Sequence, residues 1–401
     1  MIDNAPSPRV RAPGLVHFAL ALGGFAIGTT EFATMSLLPF FSKGLGIDEP
    51  TAGHVISAYA LGVVVGAPLL AVIGARLSRR TLLIVLMGMF GLANGLSALA
   101  PSYHWMLLFR FLSGLPHGAY FGIASLVAAS LVPAERRTQA VGRVMLGLTV
   151  ATIIGVPFAN WLGQALGWRW GFGVVAACAV ATVAMVFAVV PHDRPDSGAS
   201  PLRELNALRR GQVWLTLAIG AIGFGGMFAV YTYLASTLMN VTGVAPTTVP
   251  MVLAVFGIGM TAGNLIAPRF ADRALMPTAG GLLLWSACAL ALYTAAAGQL
   301  WSITIAVFAV GFGGALGTVL QTRLMDVAGD AQGLAAALNH SAFNTANALG
   351  PLLGGAAIAA GYGWTSTGWV GSALALCGLA FWGIAAMTSS PRARPRVAAA
   401  G

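Results

Sequence analysis

Apolar runs of about 20 residues, the length a helix needs to cross a hydrocarbon core, recur from one end of this 401-residue chain to the other. A chain so written has few options. In lipid each backbone N–H and C=O must be satisfied within its own segment, so runs of this length fold as spanning helices. Composition agrees: 58% of residues are hydrophobic and 8% charged, against about 25% charged in soluble domains. No stretch is left for a soluble catalytic domain. The runs predict helices near 15–40, 51–74, 81–100, 105–131, 138–166, 169–190, 213–238, 248–270, 277–298, 301–325, 332–360 and 365–388. The expected fold class is an all-α membrane protein of twelve transmembrane helices in two pseudo-symmetric six-helix bundles. The bundles cover 1–190 and 213–401, the second ending in a short basic tail, with a polar linker over 191–212. The first run is too long for the apolar core of a signal peptide, lacks an A-x-A-like cleavage site and contains Glu31, so it reads as a retained span.

A net charge of +10 raises the question of nucleic acid, and the positions of the charges answer it. Of 21 Lys and Arg, 18 fall at the N-terminus (Arg9, Arg11), in or beside alternate connections (Arg76, Arg79, Arg80, Arg136, Arg137, Arg143, Arg194, Arg203, Arg209, Arg210, Arg269, Arg273, Arg323) or in the tail (Arg392, Arg394, Arg396). The exceptions are Lys43, Arg110 and Arg169. This is an orientation signal: cytoplasmic loops carry the positive charge, which puts both termini and the linker in the cytoplasm and demands an even number of crossings. No aromatic interleaving supports nucleic-acid binding. Cys178, Cys288 and Cys377 lie far apart inside apolar spans, without metal-ligand spacing, and read as small core residues rather than a disulfide framework or a metal site.

Sliding the sequence against itself by 194 positions aligns Arg79 with Arg273, Pro157 with Pro351, Gly167 with Gly361 and Trp170 with Trp364. Six crossings per copy give the two copies the same orientation, the arrangement of parallel-repeat transporters whose site lies at the midplane between the halves. The helices also look built to move. There are 52 Gly, several at small-residue spacing such as Gly62-x-x-x-Gly66, which lets backbones approach closely. Pro39, Pro68, Pro116, Pro157 and Pro351 add kinks or breaks.

An ionisable residue at the centre of a spanning helix costs roughly 2.5–3.5 kcal/mol on insertion scales, so each one is a functional candidate whose partner must be named. Of the eleven acidic residues only Glu31 lies well inside a span. Helix 1 runs outward and helix 4 inward, which puts Glu31 and Arg110 at similar depth, within pairing reach. His117 follows Arg110 by seven positions and shares its face, two turns deeper. Burial disfavours a charged carboxyl and a nearby guanidinium favours it, so a conformational change that makes or breaks the pair could load and release a proton. The same arrangement also serves as a static tie between two helices, with His117 a hydrogen-bonded core residue. In the second half His340, Asn344 and Asn347 recur at i, i+4 and i+7, with Asn339 beside them and Thr318 and Gln321 on helix 10. Together with Tyr231 and Tyr233 of helix 7 they form a polar stripe suited to binding a neutral or amphipathic solute, or else interhelical polar glue.

Gly28-Thr29-Thr30-Glu31-Phe32 leading to Leu37-Leu38-Pro39, and Ser57-Ala58-Tyr59 through Gly62, Gly66 and Pro68, resemble helices 1 and 2 of the major facilitator superfamily, in its twelve-helix drug:proton antiporter branch of sugar-efflux and arabinose-efflux-like permeases. The resemblance covers essentially the whole chain. After helix 2 that superfamily has Gly-x-x-x-Asp-Arg-x-Gly-Arg. Gly74 and Arg79 match it, Ser78 stands where the Asp belongs, and the repeat supplies Asp272-Arg273 at the equivalent place. Arg110-x-x-x-Gly114 matches the motif whose Arg the family associates with proton coupling. The antiporter motif Gly-Pro-x-x-Gly-Gly of helix 5 reads here Gly155-Val156-Pro157, and its literal match, Gly350-Pro351-x-x-Gly354-Gly355, falls on helix 11.

The resemblance implies a secondary transporter exporting a small organic solute such as a drug, sugar or nucleoside by proton antiport and alternating access. In that reading Glu31, Arg110 and His117 handle the proton, and Tyr231, Tyr233, Gln321, His340, Asn344 and Asn347 face the solute. Gly74, Arg79, Gly155, Pro157, Asp272, Arg273, Gly350 and Pro351 form the gating framework. The proton is the coupling ion and no other cofactor or metal is expected. The expected partners are a small-molecule substrate and the lipid bilayer, not nucleic acid, for a monomer in a bacterial inner membrane. A proton-coupled nutrient importer is the alternative within transport. A membrane-embedded enzyme or sensor is the alternative outside it, and the sequence holds no nucleophile–base constellation, phosphate loop or H-E-x-x-H to support one.

Overall fold

The computed structural model describes residues 13–74, 77–133, 137–192, 209–328 and 332–388. Most of the expected linker, the basic tail, and Arg9, Arg11, Arg76, Arg136, Arg194, Arg203, Arg392, Arg394 and Arg396 lie outside them. The described chain is helical. Its long helices are α1 Pro13–Ser36, α2 Glu49–Gly74, α3 Arg79–Ala98, α4 Tyr103–Ser130, α5 Ala140–Leu166, α6 Arg169–Val189, α7 Gly211–Thr242, α8 Pro246–Ala271, α9 Leu275–Ala296, α10 Leu300–Ala328, α11 Gln332–Ala357 and α12 Ser366–Thr388. Eleven of these are long and apolar enough to cross a membrane. The twelfth, α11, has 26 residues and length to span, but His340, Ser341, Asn344, Thr345 and Asn347 lower its hydropathy.

The first expected helix, 15–40, is corrected by the structure. α1 stops at Ser36, and a separate helix, Leu38–Leu45, follows and closes on Gly46 at φ 67°. Pro39 is the cause: lacking an N–H, it suits the first turn of a new helix better than the interior of an old one. Cys288 and Cys377 are likewise corrected, since both are exposed on the outer surface rather than packed in the core. Two glycines that the repeat aligns both take a positive φ where their helices run out, though Gly167 is itself the cap and Gly361 lies two residues before the cap Gly363. Gly167, after α5, has φ 105°, and Gly361, after α11, has φ 87°, conformations open to a residue without Cβ.

Pairs of helices meet backbone to backbone through glycine. A Cβ on Gly62 or Gly66 of α2 would strike the carbonyls of Phe111 or Leu115 on α4, and one on Gly114 would strike that of Tyr59. Gly259 and Gly263 of α8 abut the carbonyls of Phe308 and Phe312 on α10, and Gly311 abuts that of Phe256. The second bundle thus repeats the three-glycine contact of the first at one constant offset. Gly147 lies on Ala21 across α1 and α5, as Gly350 lies on Gly225 across α7 and α11.

The two bundles touch along α1, α2, α4 and α5 on one side and α7, α8 and α11 on the other. Among the described residues four hydrogen bonds cross between them: Ser57 to the Ala348 carbonyl at 2.8 Å, Gln164 to the Pro246 carbonyl at 2.9 Å, Asn347 to Glu31 at 3.0 Å, and Ser236 to Glu49. All lie toward the end remote from Pro13, called here the distal end. An aromatic plug fills the seam beside them, with Phe32 of α1 set 5.3 Å edge-on to Tyr231 and 6.2 Å from both Phe228 and Phe256.

Candidate functional site

Glu31 sits where α1 meets α11, 8% exposed. Its Oε1 accepts a hydrogen bond from Nδ2 of Asn347, itself fully buried. The expected ion pair with Arg110 is not formed. The guanidinium is 1% exposed and its Nη1 donates instead to Thr30 Oγ1 at 3.0 Å and to Asn94 Oδ1 at 3.3 Å. Thr30 closes the triangle by donating to Asn94 Oδ1 at 2.7 Å. Arg110 does lie at the depth of Glu31, since it binds the residue next to it. The pairing failed on helical phase: consecutive residues point about 100° apart, and Thr30, not Glu31, faces α4.

A buried guanidinium needs this much company, because desolvating a charge costs several kcal/mol unless it is paired and hydrogen-bonded. Arg110 gains a further contact by lying 4.3 Å over the ring of Tyr59 and 5.5 Å from that of Phe172, where aromatic faces attract cations. Its Nε still lacks a partner. Tyr59 then carries the chain of contacts down α4, sharing a 2.9 Å hydrogen bond with Nδ1 of His117. Arg110 and His117 therefore do share one face, with Tyr59 bridging them. Thr30 and Tyr59 carry the family resemblance without a site role of their own, and Asn94, the one amide in the apolar body of α3, is the signal that the sequence offered for this cluster.

His117 looks across the seam at His340, ring centres 6.1 Å apart, and His340 stacks flat on Phe121 at 5.7 Å. Asn344 sits one turn from His340, donates to its carbonyl at 3.0 Å, and leaves Oδ1 buried without a partner. His340, Asn344 and Asn347 thus form one stripe, as their spacing requires, and it faces the first bundle. Tyr231 and Tyr233, two positions apart on α7, do not share a face with each other. Tyr231 packs in the plug 4.3 Å from Phe256 with its hydroxyl unpartnered. Tyr233 points toward the distal end, where it donates to the Pro351 carbonyl at 3.0 Å and abuts Gly53 of α2. Gln321 is half-buried on α10, in the same helix as Thr318, which donates to Asn264 of α8 at 2.9 Å.

The motif residues occupy helix ends and close contacts. Gly74 ends α2 and Arg79 begins α3, while Ser78 caps α3 by accepting from the Thr81 amide at 3.2 Å. Asp272 and Arg273 are exposed just past α8. Gly155 closes a π-turn, Ala151–Gly155, where a Cβ would strike Thr29 and Phe25 of α1, and Pro157 starts the next α-helical stretch. Gly350 lies against the α7 backbone at Gly225 and Ala229, and Pro351 offers its carbonyl to Tyr233.

This constellation can hold a carboxyl, a guanidinium and two imidazoles near a seam between two bundles, with unpartnered acceptors beside them. The profile of the Major Facilitator Superfamily matches residues 20–288 and 234–400. The inner membrane transport protein YdhP of Escherichia coli K12 is 42% identical over 351 residues, covering 86% of this chain and 90% of its own. The chloramphenicol resistance protein of Streptomyces lividans is 34% identical over 343 residues, covering 84% and 87%. Among solved structures, a bacterial homologue of the human lysosomal transporter Spinster, in an inward-facing and unoccupied conformation, superimposes with a TM-score of 0.72 at 18% identity, over 95% of this chain and 99% of that one.

Proposed function

Since this chain belongs to the Major Facilitator Superfamily of membrane transporters, we propose that it exports a small organic solute in exchange for protons, by rocking its two bundles about the seam. The observation that carries the reading is a single carboxyl, Glu31, kept buried between the bundles and bonded to Asn347 of the opposite one. A buried acidic residue inside a span is expensive, and function is the usual reason that one is retained. Arg110 is bonded to Thr30, the residue next to Glu31, and to Asn94, which places a fixed cation in the same bundle as the carboxyl. Efflux rather than uptake is favoured by likeness to a protein named for chloramphenicol resistance.

In this proposal the chain lies in a bacterial inner membrane with both termini in the cytoplasm, as its arginines indicate. The bundles span 1–190 and 213–401 around a cytoplasmic linker at 191–212, the distal end faces outward, and the chain works as a monomer. Glu31 takes a proton from outside, the bundles reopen inward, and the solute replaces the proton. His340, Asn344 and Gln321 line the solute's side of the seam, with Tyr231 in the plug above them. Purified protein in proteoliposomes tests the reading. An imposed pH gradient should drive solute movement in the wild type and fail to do so in Glu31→Gln. Equal gradient-driven flux in both would remove Glu31 from the mechanism.

A further inference from the structure

We propose that Asn347 is the positioning residue through which the second bundle senses the proton on Glu31, by closing a two-bond acid–amide clasp when the carboxyl is protonated. The inference rests on the reading of Glu31 as the proton site and adds what that site does to the opposite bundle.

Asn347 Nδ2 donates to Glu31 Oε1 at 3.0 Å, while Asn347 Oδ1 is buried without any partner. An ionised carboxylate only accepts, so only the N–H side of the amide can serve it and the amide oxygen stays orphaned. A protonated carboxyl carries one donor and one acceptor, the mirror of what a primary amide presents. With the proton on Oε2, that O–H donates to Asn347 Oδ1 while Nδ2 keeps its bond to Oε1. The orphaned atom is satisfied and a second bond joins α1 to α11.

The surrounding groups leave this pairing undisturbed. The charged and titratable side chains that act on the carboxyl are Arg110 of α4 and Tyr59 of α2, with His117 of α4 bonded to Tyr59 and His340 of α11 facing His117. Arg110 is committed to Thr30 and Asn94, Tyr59 and His117 bond each other, and His340 stacks on Phe121. One turn beyond Asn347, the Pro351 carbonyl is held by Tyr233 of α7, so a pull on Asn347 is passed to the helix that carries the plug residues Phe228 and Tyr231. Proton binding therefore favours the closed distal end, and proton loss releases it.

The test uses the full chain in lipid nanodiscs, with Cys178, Cys288 and Cys377 replaced by Ser. Spin labels go on Lys43→Cys and Val241→Cys, exposed positions near the distal ends of the two bundles, and their separation is read by pulsed electron paramagnetic resonance at about pH 5 and pH 8.5. The ratio of short to long separations should rise on acidification by about fivefold, the effect of one net hydrogen bond. Glutamine offers the same donor and acceptor as a protonated carboxyl, so Glu31→Gln should hold the short separation at both pH values. Asn347→Leu should abolish the acid-induced shift, and adding it to Glu31→Gln should undo the lock. A wild-type shift in Asn347→Leu, or a long separation in Glu31→Gln, overturns the clasp. Should Asn347→Leu fail to fold, the Glu31→Gln measurement decides alone. A Glu31→Gln protein that still shifts with pH like the wild type instead removes Glu31 as the titrating group, and the preceding proposal with it.

Discussion

Replacing Thr30 by Val tests whether the buried triangle around Arg110 contributes real energy. The two side chains have nearly the same shape, Thr30 is 1% exposed, and the change removes one hydroxyl. That hydroxyl donates to Asn94 at 2.7 Å and accepts from Arg110 at 3.0 Å. A neutral interhelical hydrogen bond in a membrane protein contributes about 0.6 kcal/mol on average, and one to a charged donor about 1.5 kcal/mol, so the loss is about 2 kcal/mol. Asn94 Oδ1 at 3.3 Å and the Tyr59 ring at 4.3 Å remain for the guanidinium, which keeps the figure from rising further. At about 2.1 cal/mol/K per residue over 401 residues, the corresponding fall in unfolding midpoint is about 2–3 °C, measurable by the loss of helical circular dichroism on heating in detergent. A shift under about 1 °C would mean that the aromatic ring and the remaining bond hold the charge by themselves, and the account of Arg110 given above would be wrong.

Ser78 stands where the superfamily motif has Asp, and the structure gives it the work of a helix cap. Ser78→Ala should therefore cost about 1 kcal/mol, seen as a lower unfolding midpoint, while Ser78→Asp should keep full stability because it caps equally well and suits the positive helix end. At the distal end the Asp48 carboxyl is held below its ordinary value by hydrogen bonds from the Thr51 hydroxyl and backbone amide. A depressed value in the folded state means stability present above the unfolded carboxyl range, near 3.9, and lost as pH falls through the folded value. Thermal midpoints between about pH 3 and 6 should fall more gently in Asp48→Asn than in the wild type.

How much of this was legible beforehand depended on length scale. Spans of about 20 apolar residues announce themselves because the bilayer sets one dimension for all of them, and the glycines aligned by the repeat both take a positive φ near a helix end. Depth was legible too, since rise per residue placed Glu31 level with Arg110. Angular position was not. Arg110 meets Thr30 in place of Glu31, Glu31 meets Asn347, and Tyr233 turns away from Tyr231. Periodicity within one helix says which residues share a face, and it does so correctly for His340, Asn344 and Asn347. It says nothing of which other helix that face meets, which is decided by glycine contacts such as Gly350 on Gly225 that only the assembled bundles reveal.

These angular corrections separate two duties that the sequence had joined. Among the described residues, the hydrogen bonds and ring contacts of the Arg110 guanidinium are with α1, α2, α3 and α6 of its own bundle, through Thr30, Tyr59, Asn94 and Phe172. A rigid-body rocking of the bundles leaves such a set intact, so Arg110 presents nearly the same field to Glu31 in every state. Asn347 belongs to the other bundle, and its bond to Glu31 must break whenever the seam opens there. In the proposed exchange cycle the guanidinium is thus a fixed neighbour of the carboxyl, and what varies between conformations is the presence or absence of one amide. In the proposed exchange cycle, coupling is this difference, and its size follows from how completely the seam excludes water when Asn347 is in place.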